Sequence, residues 1–224
     1  MKMFVNFFII ILFMSAIKIY VQTETIDCEY NKNTWAFWSK KIYYCSVKNS
    51  DIFSNKLKVK IDGSIGQHLN GFSSNDQVEG ISIGGATNMT NFPSNIENVF
   101  PNLIAIGIYM VNLTHVTSED LKPFTKLKVL YLIGNHIESI PENLFIHNQD
   151  LEVIRLDFNK IQDIDKNAFI HLKKLRTLHL FGNTCTSLGN ADNRDAVLKT
   201  IKKIEQDVCN SDIKTDENSP EKEI

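Results

Sequence analysis

The chain has 224 residues, of which 43% are hydrophobic and 22% are charged, and its formal net charge is -2. This composition is typical of one globular domain or slightly more, and it excludes a disordered chain, a collagen-like chain and a multi-pass membrane protein. The near-balanced charge gives no reason to expect a nucleic-acid partner, because nucleic acids select strongly basic surfaces.

The first predicted element is an apolar block from Phe7 to Ile17, which follows Lys2 and gives way to polar residues from Gln22. The block is shorter than the roughly 20 residues that cross a bilayer, and a short apolar core behind a positive start is typical of a secretory signal peptide. We therefore assign residues 1–22 to a signal peptide, with an uncleaved signal anchor as the alternative. No later segment resembles a membrane span, so we expect the mature chain to be secreted and extracellular.

Four cysteines lie in two pairs near the ends of the mature chain, Cys28 with Cys45 and Cys185 with Cys209. Cysteines of extracellular proteins usually form disulfides. Four cysteines allow three connectivities, and the long middle of the chain favours the two local pairs Cys28–Cys45 and Cys185–Cys209. A zinc site is the alternative, but the spacing of zinc ligands is missing, so we expect no metal and no cofactor.

The mature chain begins with a segment, residues 23–77, that we assign to an N-terminal cap. It contains an aromatic-rich stretch from Cys28 to Ser50, followed by strict alternation of lysine and apolar residues from Lys56 to Ile61. Such alternation predicts a half-buried strand whose lysines face solvent.

A pattern of apolar residues then recurs every 24 residues through residues 78–185, with one row longer by a residue. The full pattern is L-x-x-L-x-L-x-x-N-x-L, that of a leucine-rich repeat. The rows begin at Val78, Leu103, Leu127, Leu151 and Leu175. The asparagine slot holds Ala86, Val111, Asn135, Asn159 and Asn183 in turn. We expect each L-x-L to form a short strand, and each asparagine amide to bond backbone groups where the chain leaves that strand.

One such coil cannot bury its own apolar face, so the coils must stack. The predicted fold is an α/β solenoid, a short leucine-rich repeat horseshoe of about five 24-residue repeats with a disulfide-tied cap at each end. The C-terminal cap, residues 186–209, contains a helical pattern from residue 191 to residue 208, with Asn190 or Asp192 as its N-cap. Residues 210–224 form an acidic tail that we expect to be disordered.

At these residues the chain resembles secreted extracellular leucine-rich repeat proteins, in particular those of flies and mosquitoes. The end motifs that carry the resemblance are CEY at Cys28–Tyr30, YCSV at Tyr44–Val47 and GNTC at Gly182–Cys185. The resemblance implies a non-enzymatic protein that binds an extracellular protein or glycan, in innate immunity or in cell and matrix signalling.

One catalytic pattern occurs, the G-x-S-x-G sequence from Gly80 to Gly84. A serine hydrolase needs this serine on a sharp turn from a strand into a helix. The repeat register instead places Ser82 inside a strand, so we predict no catalytic residue and keep a secreted hydrolase that uses Ser82 as a remote alternative.

Two other polar features have a weaker bearing on function. Asp157, Asp163 and Asp165 form an acidic row, which we interpret as exposed polar positions, with weak calcium binding as the alternative. The N-x-[ST] sequons at Asn88 and Asn112 are predicted glycosylation sites, because both follow a strand on the loop that leaves it.

The outward positions of the predicted strands form the concave sheet, and several of them are aromatic. We predict that this concave face binds the ligand, because exposed aromatic clusters mark interaction sites and Tyr and Arg are favoured there. The predicted binding residues are Tyr109, Tyr131, Ile133, Arg155, Asp157, Phe158, His179 and Phe181. Alternatively, flanking side chains or a second copy of the chain cover this patch, and the protein is a homodimerising structural matrix protein.

Overall fold

The structure is a computed structural model that describes residues 22–35, 38–54, 56, 59–85, 89–185 and 188–206. The predicted signal peptide up to residue 21, the sequon at Asn88, the cysteine Cys209 and the acidic tail lie outside these residues. Gln22, which the sequence placed at the end of the signal peptide, is the first residue of a strand.

The N-terminal segment forms three strands, β1 (Gln22–Thr34), β2 (Lys41–Val47) and β3 (Val59–Ile65). Strands β1 and β2 are antiparallel, and β3 runs parallel to β1 on its other side. The disulfide Cys28–Cys45 joins β1 to β2, with a distance of 5.1 Å between the two Cα atoms, so this predicted pairing is confirmed. The sequence analysis did not predict β1, although Ile26, Cys28 and Tyr30 alternate with polar residues.

The middle of the chain adds parallel strands to this sheet. In chain order the further strands are β4 (Gly80–Gly84), β5 (Ala105–Tyr109), β6 (Val129–Tyr131), β7 (Ser139–Ile140), β8 (Val153–Arg155), β9 (Asp163–Ile164), β10 (Thr177–His179) and β11 (Asn190–Ala191). One nine-stranded sheet has the order β11-β10-β8-β6-β5-β4-β2-β1-β3. All neighbours from β2 to β10 in this order are parallel, as expected for stacked coils.

The register of these strands follows the predicted apolar column. Residues of successive coils that face one another across the strands are Ile81, Ile106, Leu130, Ile154 and Leu178. Each of these side chains is fully buried, because the next coil covers the apolar face that one coil cannot bury alone.

The opposite side of the core is built from short elements. Helices α1 (Ile96–Val99) and α2 (Ser118–Leu121) lie there, and β7 pairs with β9 in a small second sheet. Phe145 and Phe169, from successive coils, stack with their ring centroids 5.6 Å apart. Phenylalanines from successive coils therefore help to fill this half of the core.

The predicted asparagine ladder is confirmed by its hydrogen bonds. The amide Nδ2 of Asn159 donates to the carbonyl of Leu132 in the preceding coil at 2.8 Å, and its Oδ1 accepts from the backbone N–H of Ile137 at 3.1 Å. Asn135 and Asn183 make the equivalent bonds one coil before and one coil after. Each side chain thus satisfies buried backbone groups where the chain turns out of a strand.

The chain ends in helix α3 (Arg194–Glu205), which contacts β10 and β11. The predicted N-caps Asn190 and Asp192 are wrong: Asn193 is the N-cap, and its Oδ1 accepts from the backbone N–H of Ala196 at 3.0 Å. The side chain of Asp192 is instead engaged by a histidine of β10. Arg194 donates to two backbone carbonyls of the last coil, so it caps groups that a further coil would otherwise satisfy.

The second predicted disulfide, Cys185–Cys209, stays a prediction, because Cys209 lies outside the described residues. Cys185 is buried. Within that part, no helix has both the length and the apolarity needed to cross a bilayer.

Candidate functional site

The outward face of the parallel strands, here called the front face, is not open to solvent along its length. The described residues of the connection between β1 and β2, Trp35 and residues 38–40, lie across it, and we call these residues the cover loop. Trp35 and Trp38 of the cover loop are 6% and 4% exposed. They form a second apolar cluster, separate from the main core, with residues that point outward from the strands: Ile42, Ala105, Val129, Tyr131 and Val153.

A polar contact fastens the cover loop to the strands. The indole Nε1 of Trp38 donates to Oε2 of Glu152 at 3.2 Å. Glu152 also forms ion pairs with Lys128, at 3.6 Å, and with Arg176, at 3.3 Å. The backbone N–H of Trp38 donates to the carbonyl of Trp35 at 2.9 Å, so the two tryptophans are also bonded to each other. Trp38 therefore packs on apolar side chains of the front face and also donates a hydrogen bond to a carboxylate there.

Gly80 makes room for the cover loop. A Cβ atom at Gly80 would lie 2.6 Å from Cζ3 of Trp35 and 2.8 Å from Cδ1 of Ile42, closer than any real contact. The first glycine of the G-x-S-x-G pattern is thus explained by packing beneath a tryptophan. Ser82 lies in the middle of β4 and not on a strand-to-helix turn, so the geometry of a hydrolase nucleophile is not present at this serine.

The structure separates the predicted binding residues into three groups. Tyr131, Asp157 and His179 are buried, with 2%, 1% and 3% exposure. The expectation that these outward positions are exposed to solvent is therefore wrong. Tyr109, Ile133 and Arg155 are half-buried, while Phe158 and Phe181 are exposed. For Tyr131 the alternative interpretation, in which flanking side chains cover the patch, agrees with the structure. Tyr131 lies under Trp35, with ring centroids 6.2 Å apart.

Burial has a measurable electrostatic consequence for two front-face tyrosines. It raises the pKa of Tyr109 and of Tyr131 well above the ordinary value of 10.0, because a buried phenolate would lose its hydration. Both phenols therefore remain neutral hydrogen-bonding groups at any physiological pH.

Asp157 and His179 belong to a chain of ionisable side chains near the C-terminal end of the sheet. Nε of Arg155 donates to Oδ2 of Asp157 at 2.8 Å, and the guanidinium lies 5.9 Å from the ring centroid of Tyr131. Nδ1 of His179 is 3.8 Å from the same carboxylate oxygen, and its Nε2 is 2.5 Å from Oδ1 of Asp192. The buried charge of Asp157 is thus compensated within the fold.

This compensation bears on the alternative interpretation of the aspartate row as a calcium site. Asp163 lies in β9, in the second sheet, and so does not share the front face with Asp157. Among the residues that the structure describes, no group of three His, Cys, Asp or Glu side chains is arranged to hold a metal ion.

Three large exposed apolar side chains lie just beyond the ends of parallel strands, at Met110, Phe158 and Phe181. Their exposed fractions are 71% for Met110, 57% for Phe158 and 55% for Phe181. Together with the half-buried Ile133 they line successive coils, and we call these four residues the apolar ridge. The rings of Phe158 and Phe181 meet edge to face, with centroids 5.5 Å apart.

Two residues of the apolar ridge have a strained backbone. Met110 and Phe158 have φ values of 50° and 56°, in the left-handed region that bulky residues rarely occupy. Each side chain lies over a glycine of the next coil: a Cβ at Gly134 would be 2.8 Å from Cγ of Met110, and one at Gly182 would be 2.6 Å from Cδ1 of Phe158. The left-handed conformation costs about 1–2 kcal/mol per residue, and such strain clusters at functional sites.

Sequence reasoning missed the cover loop and the outward column beneath it. The signal was present, because this column is small or β-branched where a solvent-facing strand carries polar residues. Its members are Gly80, Ala105, Val129, Val153 and Thr177. The strain at Met110 was also missed, although glycine recurs at its position in the neighbouring coils.

Of the two predicted glycosylation sites, Asn112 is half-buried with φ 67°, and Asn88 lies outside the described residues. Occupancy of either sequon stays a prediction.

Comparisons with known proteins give a family match for part of the chain. The family described as "Leucine rich repeat" matches residues 125–184. No curated protein matches the chain significantly. Among solved structures, TLR13 in a complex with ssRNA13 is 19% identical with a TM-score of 0.45, and the match covers 58% of this chain and 19% of that one. In the Toll–Spatzle complex of Drosophila, the matched chain is 24% identical with a TM-score of 0.45, and the match covers 59% of this chain and 18% of that one.

The chain thus spans about a fifth of the length of these two structures. Residues 125–184 carry leucine-rich repeats.

Proposed function

We propose that this chain is a secreted, non-enzymatic recognition protein that binds an extracellular protein through the apolar ridge. It consists, on this proposal, of about five coils with a cap at each end, and it belongs with the secreted leucine-rich repeat proteins of flies and mosquitoes. The observation that carries the proposal is the ridge itself, in which Met110, Phe158 and Phe181 are exposed and the first two have a strained backbone.

The composition of the apolar ridge favours a protein partner. Aromatic residues and Met are enriched in the buried centres of protein interfaces, where they supply most of the binding energy. Met110, Ile133, Phe158 and Phe181 carry no charge, whereas a nucleic acid requires cationic side chains for its phosphates. The partner that fits is a protein with a complementary apolar patch.

The ridge also replaces the front face as the proposed contact surface. Over β5, β6 and β8 the front face already packs against the cover loop, so a ligand there would first have to displace Trp35 and Trp38. The ridge lies at the ends of the same strands and needs no such displacement. The binding role first predicted for the outward strand positions is therefore proposed for Ile133, Phe158 and Phe181 only.

The test compares two double variants that remove apolar surface from different sides of the same coils. F158S/F181S changes the ridge, and I146S/I170S removes two side chains of 43% and 39% exposure from the other side. A photo-crosslinking residue at Ile133 in the otherwise unchanged protein identifies the partner in extracellular fluid, and the purified partner is then titrated.

We expect F158S/F181S to weaken binding at least about tenfold, since interface aromatics commonly contribute more than 1.4 kcal/mol each, and I146S/I170S to leave it unchanged. Equal affinities for the two double variants would contradict the proposal. If the chain crosslinks to a second copy of itself, and F158S/F181S abolishes that dimer, the result would favour the homodimerising matrix protein instead.

Secretion and glycosylation are tested in the same preparation. We expect a eukaryotic secretory host to export the full chain, and an N-glycosidase to reduce its apparent mass. Substitution N112Q should remove one glycan if the sequon at Asn112 is occupied.

A further inference from the structure

A second candidate binding site lies under one side of the cover loop, away from the apolar ridge. It is a cavity of about 140 Å³, lined by Thr34, Trp35, Tyr44, Ser82 and Tyr109. These residues come from the end of β1, the cover loop, β2, β4 and β5, so the cavity exists only because the loop folds over the sheet.

Aromatic rings form its walls. Trp35 and Tyr44 meet nearly edge to face, with centroids 5.1 Å apart. Tyr109 forms another wall, and Trp35 is hydrogen-bonded to its side chain. Its ring lies directly over Gly107, where a Cβ atom would come within 2.3 Å of the phenol oxygen. The ring is therefore held flat against the sheet, and the space above Ser82 stays open.

The size of the cavity limits what it can hold. A cavity of about 150 Å³ is known to hold one benzene-sized ring, whereas drug-sized ligands occupy about 300 Å³ or more. The 140 Å³ cavity thus suits a single six-membered ring.

The charge of the lining limits it further. None of the five lining residues carries a formal charge, and Arg155 is the cation whose field reaches Tyr109. An anionic ligand would lose its hydration with no cationic donor in contact, and a cationic ligand would lose its hydration with no carboxylate among the lining residues. Burial raises the pKa of Tyr109, so its phenol keeps its proton and remains a donor.

Four of the five lining residues carry a hydroxyl group, namely Thr34, Tyr44, Ser82 and Tyr109, and this distinguishes the cavity from a purely apolar one. A pyranose ring has the matching pattern, since its C–H bonds can lie against electron-rich aromatic faces while its hydroxyls exchange hydrogen bonds with side chains. We propose that this cavity binds one neutral pyranose ring of a saccharide. The site is separate from the apolar ridge, and the proposal goes beyond the protein recognition assigned to that ridge.

The test uses methyl glycosides of glucose, galactose, mannose and N-acetylglucosamine as probes. Each is titrated up to about 50 mM, because the contacts of one ring support affinities on the order of 1 mM. Saturation-transfer NMR reports the ring protons that contact the protein. Trp35 lines the cavity, so the tryptophan fluorescence provides a second readout. We expect at least one glycoside to bind in both measurements.

Two variants remove a hydroxyl from the cavity and add no bulk to it. We expect S82A and Y109F each to weaken glycoside binding about three- to tenfold, as the loss of one hydrogen bond implies. S139A, at an exposed serine of β7, is the matched control and should bind as the parent does. A chain of four to six of the same sugar units, compared with the free glycoside, then shows whether the ring is recognised at a glycan terminus.

Binding by none of the four glycosides overturns the proposal, as does binding that S82A and Y109F leave unchanged in correctly folded protein. Preferential binding of tetramethylammonium or of indole would overturn it in favour of a cation or an aromatic ligand. The F158S/F181S variant should retain glycoside binding, so failure of the ridge proposal and failure of this one give different results.

Discussion

The packing of Trp38 against the front face can be tested by its removal. Truncation of a buried tryptophan to alanine costs about 3–5 kcal/mol, and Trp38 is 4% exposed. The indole bond to Glu152 adds less than the usual 1.5–3 kcal/mol of a charged hydrogen bond, because Glu152 keeps Lys128 and Arg176 as partners. We expect W38A to lower the free energy of unfolding by about 3–5 kcal/mol, and W38F, which keeps a buried ring, by about 1–2 kcal/mol.

Urea unfolding followed by fluorescence provides the measurement, because the chain has 2 tryptophans and each Trp38 variant leaves Trp35 as the remaining reporter. For a chain of this size a loss of 1 kcal/mol lowers the melting temperature by about 2–4 °C, so W38A should melt about 10 °C lower. In W38A the emission of Trp35 should shift to longer wavelength, since its neighbour no longer shields it from water. In W38F it should stay in place.

A matched control is F181A, which removes another large aromatic side chain that is 55% exposed. It should cost less than about 1.5 kcal/mol, the value of its contact with Phe158. If W38A unfolds within about 1 kcal/mol of the parent and Trp35 emission does not move, Trp38 does not hold the cover loop on the front face, and the reasoning is refuted.

Three further predictions concern other parts of the fold. G182A should destabilise by about 2 kcal/mol in urea unfolding, from left-handed strain and contact with Phe158, and F158A in the same chain should recover part of that loss; strict additivity of the two changes would contradict the contact. N159A should lower the free energy of unfolding by about 3 kcal/mol, because it leaves buried backbone groups without partners. A loss below about 1 kcal/mol would show that the asparagine ladder does not stabilise the fold. Folding raises the pKa of Tyr109 and Tyr131, so their burial should contribute fully to the free energy of unfolding below pH 10, and this contribution should fall as the pH rises above 10. Phenolate absorbance from these two rings should appear only on unfolding. Titration of both rings near pH 10 in the folded protein would show that they are not buried.

The repeat makes the main sheet predictable from sequence. The apolar column through Leu130 and the ladder through Asn159 follow from one physical requirement, that each coil is covered by the next one. Because this requirement recurs every 24 residues, an irregular residue in one row does not change how the other rows are aligned. Strand register and the positions of the inward residues can therefore be predicted correctly from the repeat alone.

The cover loop could not be predicted in the same way. Trp38 and Glu152 are 114 positions apart and belong to no common repeat, so no periodicity relates them. Alternation alone distinguishes inward from outward residues, but it does not show whether an outward residue faces water or another segment. Tyr131 and His179 were placed on the correct face of the sheet, and only their exposure was misjudged.

The helix cap illustrates a more local limit. Asn190, Asp192 and Asn193 all have side chains suited to an N-cap, and they lie within four positions. Asp192 is drawn away by His179, and Asn190 lies in β11, which leaves Asn193 to begin the helix. Tertiary contacts made this choice among residues of similar propensity.

The left-handed position of each coil has a consequence for how such a chain can change its length. Through the sheet this position holds glycine and a bulky residue in alternation: Gly85, Met110, Gly134, Phe158 and Gly182. The true structural period of this edge is therefore two coils, twice the period of the apolar pattern. Loss of residues 127–150 would preserve every inward residue, yet it would set Met110 against Phe158, where a glycine now makes room. A natural or designed relative could gain or lose coils here in pairs, whereas a change by one coil would need a compensating glycine.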